Sequence, residues 1–208
     1  MNELVRVNVG CGMTPTPGWL NLDNSWSVRL ARTPAGRLLG GRRAFAEAVR
    51  QHNIRYAEAL ALPVADGAAR IVYSSHMVEH LDRGEARAFL AEALRILAPG
   101  GAIRLVVPDV GKAVADYQRH GDADRLVGGL LMSRPRARGF KAKLAEVSVG
   151  FRDHRWMYDA QSLCRVVGEA GFRDVVALPP GETRLVDPGA LDLAERDDES
   201  CYVEGVKP

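Results

Sequence analysis

Two glycines and one acid near the start of the chain have the types and spacing of a nucleoside-binding site. Gly10 and Gly12 follow the apolar run 4–9, and glycine lets a chain turn sharply after a strand and lets a ligand approach the backbone. Asp23 ends the alternating run 19–23, where a carboxylate can accept hydrogen bonds from both hydroxyls of a ribose. The pattern predicts a pocket for a nucleoside.

The same residues disfavour a dinucleotide such as NAD or FAD. A dinucleotide rests its pyrophosphate on a helix that starts directly after the glycines, and a third glycine packs that helix on the strand. Here Pro15 and Pro17 exclude a helix over 13–18. Asp23 follows Gly12 by only 11 positions, against about 20 in dinucleotide-binding folds. A nucleoside without phosphates does not need that helix.

Four side chains could take a proton from a substrate. They are His76, His80, Asp109 and His154, and a histidine with a pKa near 6.5 can accept a proton at neutral pH. His80 lies one turn beyond a predicted strand, where a structural hydrogen bond is the favoured interpretation. We therefore favour His76 or His154 as the catalytic base and keep Asp109 as a candidate.

Residues 76–80 also match the H-x-x-E-H pattern of a zinc hydrolase, with His76 and His80 as ligands and Glu79 as the base. That site needs both histidines on one established helix, whereas this string begins where a strand ends. Zinc hydrolysis is therefore a remote alternative, and we expect no bound metal.

Periodicity predicts the elements that must position these residues. Strands are predicted at 4–9, 19–23, 54–57, 70–74, 103–107, 175–178 and 201–206. Helices are predicted at 83–97, 110–119 and 160–170, with turns at Pro99-Gly100-Gly101 and Gly171. Strands that alternate with helices indicate an α/β fold whose sheet is mostly parallel and has helices on both faces.

Length and composition favour a single globular domain over 1–208. The chain has 208 residues, of which 47% are hydrophobic, and no apolar run long enough to span a bilayer. Its N-terminus lacks the plan of a signal peptide, so we expect a cytoplasmic protein. Three distant cysteines without a C-x-x-C motif argue against a disulfide framework. The sequence does not indicate an oligomeric state.

Charge is balanced overall but clustered locally. Lys and Arg number 28 against 26 Asp and Glu, which does not suggest a polyanion-binding protein. The basic segments 24–50 and 122–150 are either solvated faces or lids that attract an anionic substrate. They lack the aromatic residues of a single-stranded nucleic-acid platform, so no nucleic-acid partner is expected. The acidic stretch 182–199 is interpreted as a solvated connection.

Five motifs occur in an order that resembles class I S-adenosylmethionine-dependent methyltransferases, of the type called methyltransferase type 11. They are Val-Gly-Cys-Gly at 9–12, Leu-Asn-Leu-Asp at 20–23, Ala-Leu-Pro at 61–63, the string 72–81 and Ala-Leu-Arg-Ile-Leu-Ala-Pro-Gly-Gly at 93–101. The resemblance covers 5–107 and resumes at 154–176. It implies the Rossmann-like fold of that class and S-adenosylmethionine as the cofactor.

Carried over by position, the resemblance implies where the two ends of that cofactor bind. It places the methionine part of S-adenosylmethionine along Gly10, Cys11 and Gly12, and the ribose on Asp23. The family usually has an acid two residues before the first glycine, where this chain has Asn8.

The resemblance also assigns residues to the adenine and to the reacting methyl group. Glu58 matches the acid beside the adenine amino group, and Ala59 and Leu60 offer backbone contacts. Ser74 and Ser75 match the turn after the fourth strand, which borders the methyl group together with His76.

The reaction that the resemblance implies is methyl transfer to a small or sugar-like acceptor. The chain lacks the Asn- or Asp-Pro-Pro-aromatic turn of enzymes that methylate exocyclic amines, which favours oxygen over nitrogen. A different class of function is also open, a module that binds S-adenosylmethionine without catalysis. Asn8 and the missing third glycine support that alternative.

Overall fold

The computed structural model describes residues 4–31, 33, 47, 49–131 and 153–208. The strands are β1 (Val5–Val9), β2 (Leu20–Asp23), β3 (Arg55–Tyr56), β4 (Ala69–Ser75), β5 (Leu97–Pro108), β6 (Arg173–Leu178) and β7 (Ser200–Val206). The helices are α1 (Trp26–Ala31), α2 (Arg83–Ile96), α3 (Val110–His120), α4 (Ala123–Leu130) and α5 (Ala160–Glu169), with a 3-10 turn at Val78–His80. The predicted α/β fold is confirmed, with small shifts at most ends of the predicted elements. The turn predicted at Pro99-Gly100-Gly101 is wrong, because β5 already begins at Leu97 and contains these residues, where its pairing with β4 shifts register.

The strands form one sheet in the order β3-β2-β1-β4-β5-β7-β6. β1 to β5 are parallel to their neighbours, and β7 lies antiparallel between β5 and β6. The chain runs from β1 outward to β3 and then returns to β4 on the other side of β1. A parallel sheet binds its ligands at such a reversal, beyond the carboxyl ends of the strands.

Helix α2 shows why one face of the sheet is well covered. Asp82 and Glu85 form a capping box at its N-terminus, which satisfies backbone donors that a helix leaves unpaired. One stripe of the helix is at most 1% exposed and packs on the sheet: Ala86, Phe89, Leu90, Ala93 and Ile96. The periodicity predicts a stripe of Phe89, Leu90, Ala93, Leu94 and Leu97. The first three are confirmed, whereas Leu94 is only partly buried and Leu97 is the first residue of β5.

The opposite face is covered in part by the segment between β6 and β7. Leu185 and Leu191 are only 7% and 8% exposed and pack with Tyr73 and Tyr202. The prediction that 182–199 is a solvated connection is therefore wrong. Two isolated leucines in an acidic stretch carry little periodic signal. They nevertheless hold the stretch 182–199 against the sheet.

Both basic segments contain a helix that periodicity does not predict, α1 in 24–50 and α4 in 122–150. Of the basic residues in these segments, Arg32, Arg37, Arg42, Arg43, Arg134, Arg136, Arg138, Lys141 and Lys143 lie outside the described residues. In the part of the chain that the structure describes, no helix is long and apolar enough to cross a membrane.

Candidate functional site

The glycine turn after β1 has a closed side and an open side. The backbone N–H groups of Gly10 and Cys11 both donate to the Leu22 carbonyl, at 2.8 and 3.1 Å. Gly10 has a φ of +73°, and a Cβ atom there would lie 2.5 Å from Met77 Cγ, so a side chain is excluded at this position. Gly12 has a φ of +48°, and no described atom lies within 4 Å of where its Cβ would be. A ligand can reach the backbone at Gly12.

Asp23 lies beside this turn, as the predicted ribose site requires. Its Oδ2 accepts a hydrogen bond from Gly12 N at 3.0 Å, and its Oδ1 accepts one from Ser25 N at 2.9 Å. A carboxylate has about four acceptor sites, so each oxygen can accept another donor such as a ribose hydroxyl. The side chain is half-buried, which leaves it accessible.

The loop between β1 and β2 is held by two buried asparagines. Asn8 Nδ2 donates to the Thr14 carbonyl at 3.3 Å and to Thr16 Oγ1 at 3.1 Å. Asn21 accepts from Thr16 N at 2.9 Å and donates to the Thr16 and Trp19 carbonyls. Since Asn8 must donate, a carboxylate could not replace it here. The acid that the family usually has at this position is thus replaced by a residue that fixes the loop.

The predicted adenine side is open and polar. Glu58 is exposed and accepts hydrogen bonds from the Tyr56 hydroxyl and from Asn24 Nδ2. It lies close to Asp23, because Ala57 N donates to the Asp23 carbonyl at 3.2 Å. Beside them, the Arg29 guanidinium lies 3.7 Å from the centroid of the Tyr56 ring. These contacts bring the predicted ribose and adenine residues to adjoining strand ends.

The neighbouring backbone of Ala59 and Leu60 forms the turn that follows Glu58, where Glu58 and Ala61 make an isolated antiparallel bridge. Ala59 is partly buried, whereas the Leu60 side chain is 42% exposed. Both are therefore on the same surface as Glu58.

Three other predicted cofactor residues have side chains that face the protein. Cys11 is 2% exposed and packs with Val28 and Ala31, and burial raises the pKa of its thiol. The Ser74 hydroxyl donates to the Val9 carbonyl at 3.0 Å, and Ser75 is 9% exposed. These positions offer a ligand their backbone and little else.

His76 follows β4 in a left-handed conformation, with a φ of +49°, which is uncommon for a residue with a side chain. Its Nδ1 lies 2.9 Å from Arg196 Nη1, and its Nε2 lies 2.8 Å from Ser200 Oγ. An arginine can only donate, so Nδ1 accepts and Nε2 carries the proton. Burial and the charge of Arg196 lower the pKa of His76 to about 3. Both ring nitrogens are engaged, which argues against His76 as a base.

Next to His76 lies a group that we call the triad, formed by Glu79, His80 and His154. One ligand atom from each lies within 4.8 Å of those of the other two. Glu79 Oε1 is 3.9 Å from His154 Nε2, and the two imidazole centroids are 5.1 Å apart. Glu79 is 0% exposed, and burial raises its pKa to about 8.

Asp109 lies at the carboxyl end of β5 and caps α3. Its Oδ1 accepts from Gly111 N at 2.8 Å, and its backbone N–H donates to the Glu199 carbonyl. A carboxylate at this position satisfies a backbone N–H that the first turn of a helix leaves unpaired. The cap gives Asp109 a structural role.

Residues 76–80 do not form the helix that a zinc hydrolase of the H-x-x-E-H type requires. Only 78–80 are helical, as a single 3-10 turn, so His76 and His80 do not lie one above the other on an α-helix. The fold instead brings His154, from a distant part of the chain, to Glu79. Sequence reasoning also missed Arg196 and Ser200 as partners of His76, since nothing local in the sequence signals those contacts.

Comparisons with known proteins concern the family and the fold. Residues 7–105 match the family model of a methyltransferase domain. The whole chain superimposes, with a TM-score of 0.53 and 19% identity, on an S-adenosylmethionine-dependent methyltransferase of Thermotoga maritima described as a possible histamine N-methyltransferase, of which it covers 84%.

A second structure is a complex of the Haloferax volcanii Trm112 methyltransferase activator with a methyltransferase. The TM-score is 0.52 at 15% identity, over 99% of this chain and 82% of that chain. Among curated proteins, none is significantly similar to this chain in sequence. At these identities the structural likeness shows the fold alone.

Proposed function

Residues 7–105 carry a class I S-adenosylmethionine-dependent methyltransferase domain, and from that premise we propose that the protein methylates an oxygen of a small or sugar-like acceptor. The observation that carries the proposal is the Asp23 carboxylate, which lies against the open glycine turn at Gly12, 3.0 Å from its N–H. The chain order reverses at the same place in the sheet, where an α/β fold binds its ligand.

The residues present fit S-adenosylmethionine. Asp23 would hold the ribose hydroxyls, Glu58 the adenine amino group, and the backbone of 10–12 the methionine part. Gly12 leaves the space that a side chain would fill. Asn8 and Asn21 fix the loop beside this pocket, so the pocket does not depend on the helix that is missing after the glycines.

Bound S-adenosylmethionine supplies a methyl group already activated on a sulfonium, so positioning of the acceptor accounts for much of the rate. The chain's part is to place the acceptor beside the turn at 74–76 and to remove the hydroxyl proton. We assign that second role to the triad and His154 in particular, because Arg196 occupies the lone pair of His76 and Asp109 caps a helix.

Oxygen is proposed over nitrogen because the turn after β4 is Ser74-Ser75-His76-Met77. It is unlike the Asn- or Asp-Pro-Pro-aromatic turn that resembling enzymes use for exocyclic amines. The imidazole of His154 is the proposed acceptor of the hydroxyl proton.

We also propose that 24–50 and 122–150 form the rim or lid of the acceptor pocket, within a single domain over 1–208. Their excess of Lys and Arg would attract an anionic acceptor. A cytoplasmic location is part of the same proposal, and three free cysteines are consistent with it.

Product analysis with S-adenosylmethionine carrying a deuterated methyl group tests the proposal. The acceptors are small hydroxylated compounds, neutral and anionic, each paired with the amine of the same skeleton. We expect S-adenosylhomocysteine to be released and the label to be found on oxygen. The His154→Gln variant should lower kcat about 100-fold, as loss of a general base does, with unchanged cofactor affinity.

Two outcomes would overturn parts of this proposal. Label on nitrogen alone would refute the oxygen acceptor. Binding of S-adenosylmethionine without turnover of any acceptor would support the non-catalytic module.

A separate prediction concerns the proposed rim. Neutralising Arg134, Arg136 and Arg138 should raise KM for an anionic acceptor and flatten the salt dependence of KM. An unchanged KM would refute the steering role.

A further inference from the structure

We propose that the triad of Glu79, His80 and His154 binds a divalent transition-metal ion of the Zn²⁺ class. The string 76–80 alone predicts no metal site, because it begins where a strand ends and a third ligand must come from a later part of the chain. The fold supplies the ligand that the string lacks, since His154 comes to Glu79 from beyond α4. The binding itself does not depend on the proposed methyl transfer.

Glu79 is the first observation that points to a cation. Its side chain is only 1% exposed, and no donor among the described residues makes a hydrogen bond with either carboxylate oxygen. Leaving such a group buried and unsatisfied is costly. Buried carboxylates in proteins are paired, hydrogen-bonded or bound to metal, and a metal ion at the triad would satisfy this one.

The orientation of His80 is the second observation. Its Nδ1 lies 3.2 Å from the Asp153 carbonyl oxygen, which can only accept, so Nδ1 carries the proton in the neutral ring. The lone pair is then on Nε2. A metal-bound histidine usually donates its other N–H to a carbonyl or carboxylate in the same way, which fixes the tautomer.

The backbone holds the two halves of the triad together. The Glu79 carbonyl accepts from Arg155 N at 2.8 Å and from Trp156 N at 3.1 Å, so the 3-10 turn and the segment that carries His154 are joined. The ligand atoms, within 4.8 Å of one another, need to approach only modestly, because Zn²⁺ binds nitrogen and oxygen at about 2.0–2.2 Å.

The ligand types select the metal. Two imidazoles and one carboxylate suit Zn²⁺ or Fe²⁺, whereas Mg²⁺ and Ca²⁺ prefer oxygen ligands. His76 is not counted as a ligand, because its Nδ1 accepts from Arg196 and its Nε2 donates to Ser200. Three protein ligands leave a coordination position open, as in catalytic zinc sites. With the ion bound, His154 would serve as a ligand rather than as the base, and an acceptor hydroxyl at the open position would lose its proton more easily; this consequence rests on the proposed function.

The test measures metal binding in untagged protein that has been stripped with chelator and dialysed. Zn²⁺ is added in competition with a chromophoric chelator, and Co²⁺ in a parallel sample reports coordination through its visible absorption. We expect one equivalent per chain. Glu79→Gln, His80→Ala and His154→Ala should each weaken Zn²⁺ binding at least about 100-fold, since even changes behind the ligands cost 10–100-fold.

His120→Ala is the matched control, because His120 lies on α3 with an exposed side chain paired with Asp116. It should bind Zn²⁺ like the wild type. Glu79→Gln keeps the shape of the side chain, so circular dichroism and thermal melting can establish that it folds. The wild type should melt at a higher temperature with Zn²⁺ than without, and Glu79→Gln should not.

Either of two results would overturn the proposal: less than stoichiometric binding by the wild type, or equal binding by the folded triad variants and His120→Ala. Calorimetry with S-adenosylmethionine on the stripped protein separates the two proposals. Cofactor binding without a metal site would leave the methyltransferase proposal standing, and metal binding without cofactor binding would leave only this one.

Discussion

Glu204 and Glu79 are both buried acids, and their surroundings differ in kind. Glu204 lies in β7 opposite Arg104 in β5, and its Oε1 accepts from Arg104 Nη1 at 2.6 Å. Thr183 Oγ1 and Arg184 N donate to the same carboxylate. Glu79 is equally buried, yet among the described residues no donor makes a hydrogen bond with its carboxylate.

From this difference we interpret Glu204 as a structural acid and Glu79 as a candidate ligand residue. The contacts of Glu204 and Arg104 tie the segment before β7 to the sheet, since Arg104 also donates to the carbonyls of Glu182 and Leu193. A buried ion pair can be tolerated when both carboxylate oxygens accept hydrogen bonds, as those of Glu204 do. Glu79 lies at the carboxyl ends of the strands, where a cost in stability can be retained for binding.

The largest expected effect is a loss of stability when the Arg104–Glu204 ion pair is broken. Arg104→Met should lower the free energy of unfolding by about 3–5 kcal/mol, because it leaves Glu204 buried without its counter-charge. Urea unfolding measures this loss. The double variant with Glu204→Leu should recover most of the stability, and a double variant as unstable as the single one would refute the explanation.

The second prediction concerns the binding of S-adenosylmethionine by Asp23. Asp23→Ala should weaken S-adenosylmethionine binding about 30- to 100-fold, which corresponds to about 2–3 kcal/mol for lost hydrogen bonds to a charged group. Calorimetry measures the affinity. Asp66→Ala, which removes an exposed acid paired with Arg95, is the control, and an equal loss in both variants would count against Asp23 as the ribose ligand.

The third prediction concerns the loop beside the pocket. Asn8→Asp should destabilise the protein by about 1–3 kcal/mol, because a carboxylate cannot donate to the Thr14 carbonyl and Thr16 hydroxyl. Chemical unfolding of both proteins gives the difference. A variant as stable as the wild type would show that these two hydrogen bonds do not hold the loop.

The smallest expected effect is the change in the free energy of unfolding when Glu79 is replaced. In metal-free protein, Glu79→Gln should leave the free energy of unfolding unchanged or raise it by up to about 1 kcal/mol, because it replaces a buried carboxyl group that makes no hydrogen bond with the described residues. Urea unfolding in the presence of chelator measures it. A loss of several kcal/mol would mean that Glu79 is paired as Glu204 is.

Local patterns predicted most of the sheet and the long helices, because buried strands and amphipathic helices carry a periodic signal. The same reasoning selected Gly10, Gly12 and Asp23 from their spacing in the sequence, and the structure places Asp23 beside the glycine turn. It missed α1 and α4, which are short and lie in charged segments. It also missed the meeting of Glu79 with His154, since that contact joins distant parts of the chain and leaves no local pattern.

The proposed cofactor site is the pocket between Gly12 and Asp23. Calorimetry of S-adenosylmethionine and S-adenosylhomocysteine with the wild-type protein tests this site without knowledge of the acceptor. The predicted result is one-to-one binding in the micromolar range, about −8 kcal/mol. The absence of binding by either ligand at concentrations up to about 1 mM, equivalent to about −4 kcal/mol, would contradict the account.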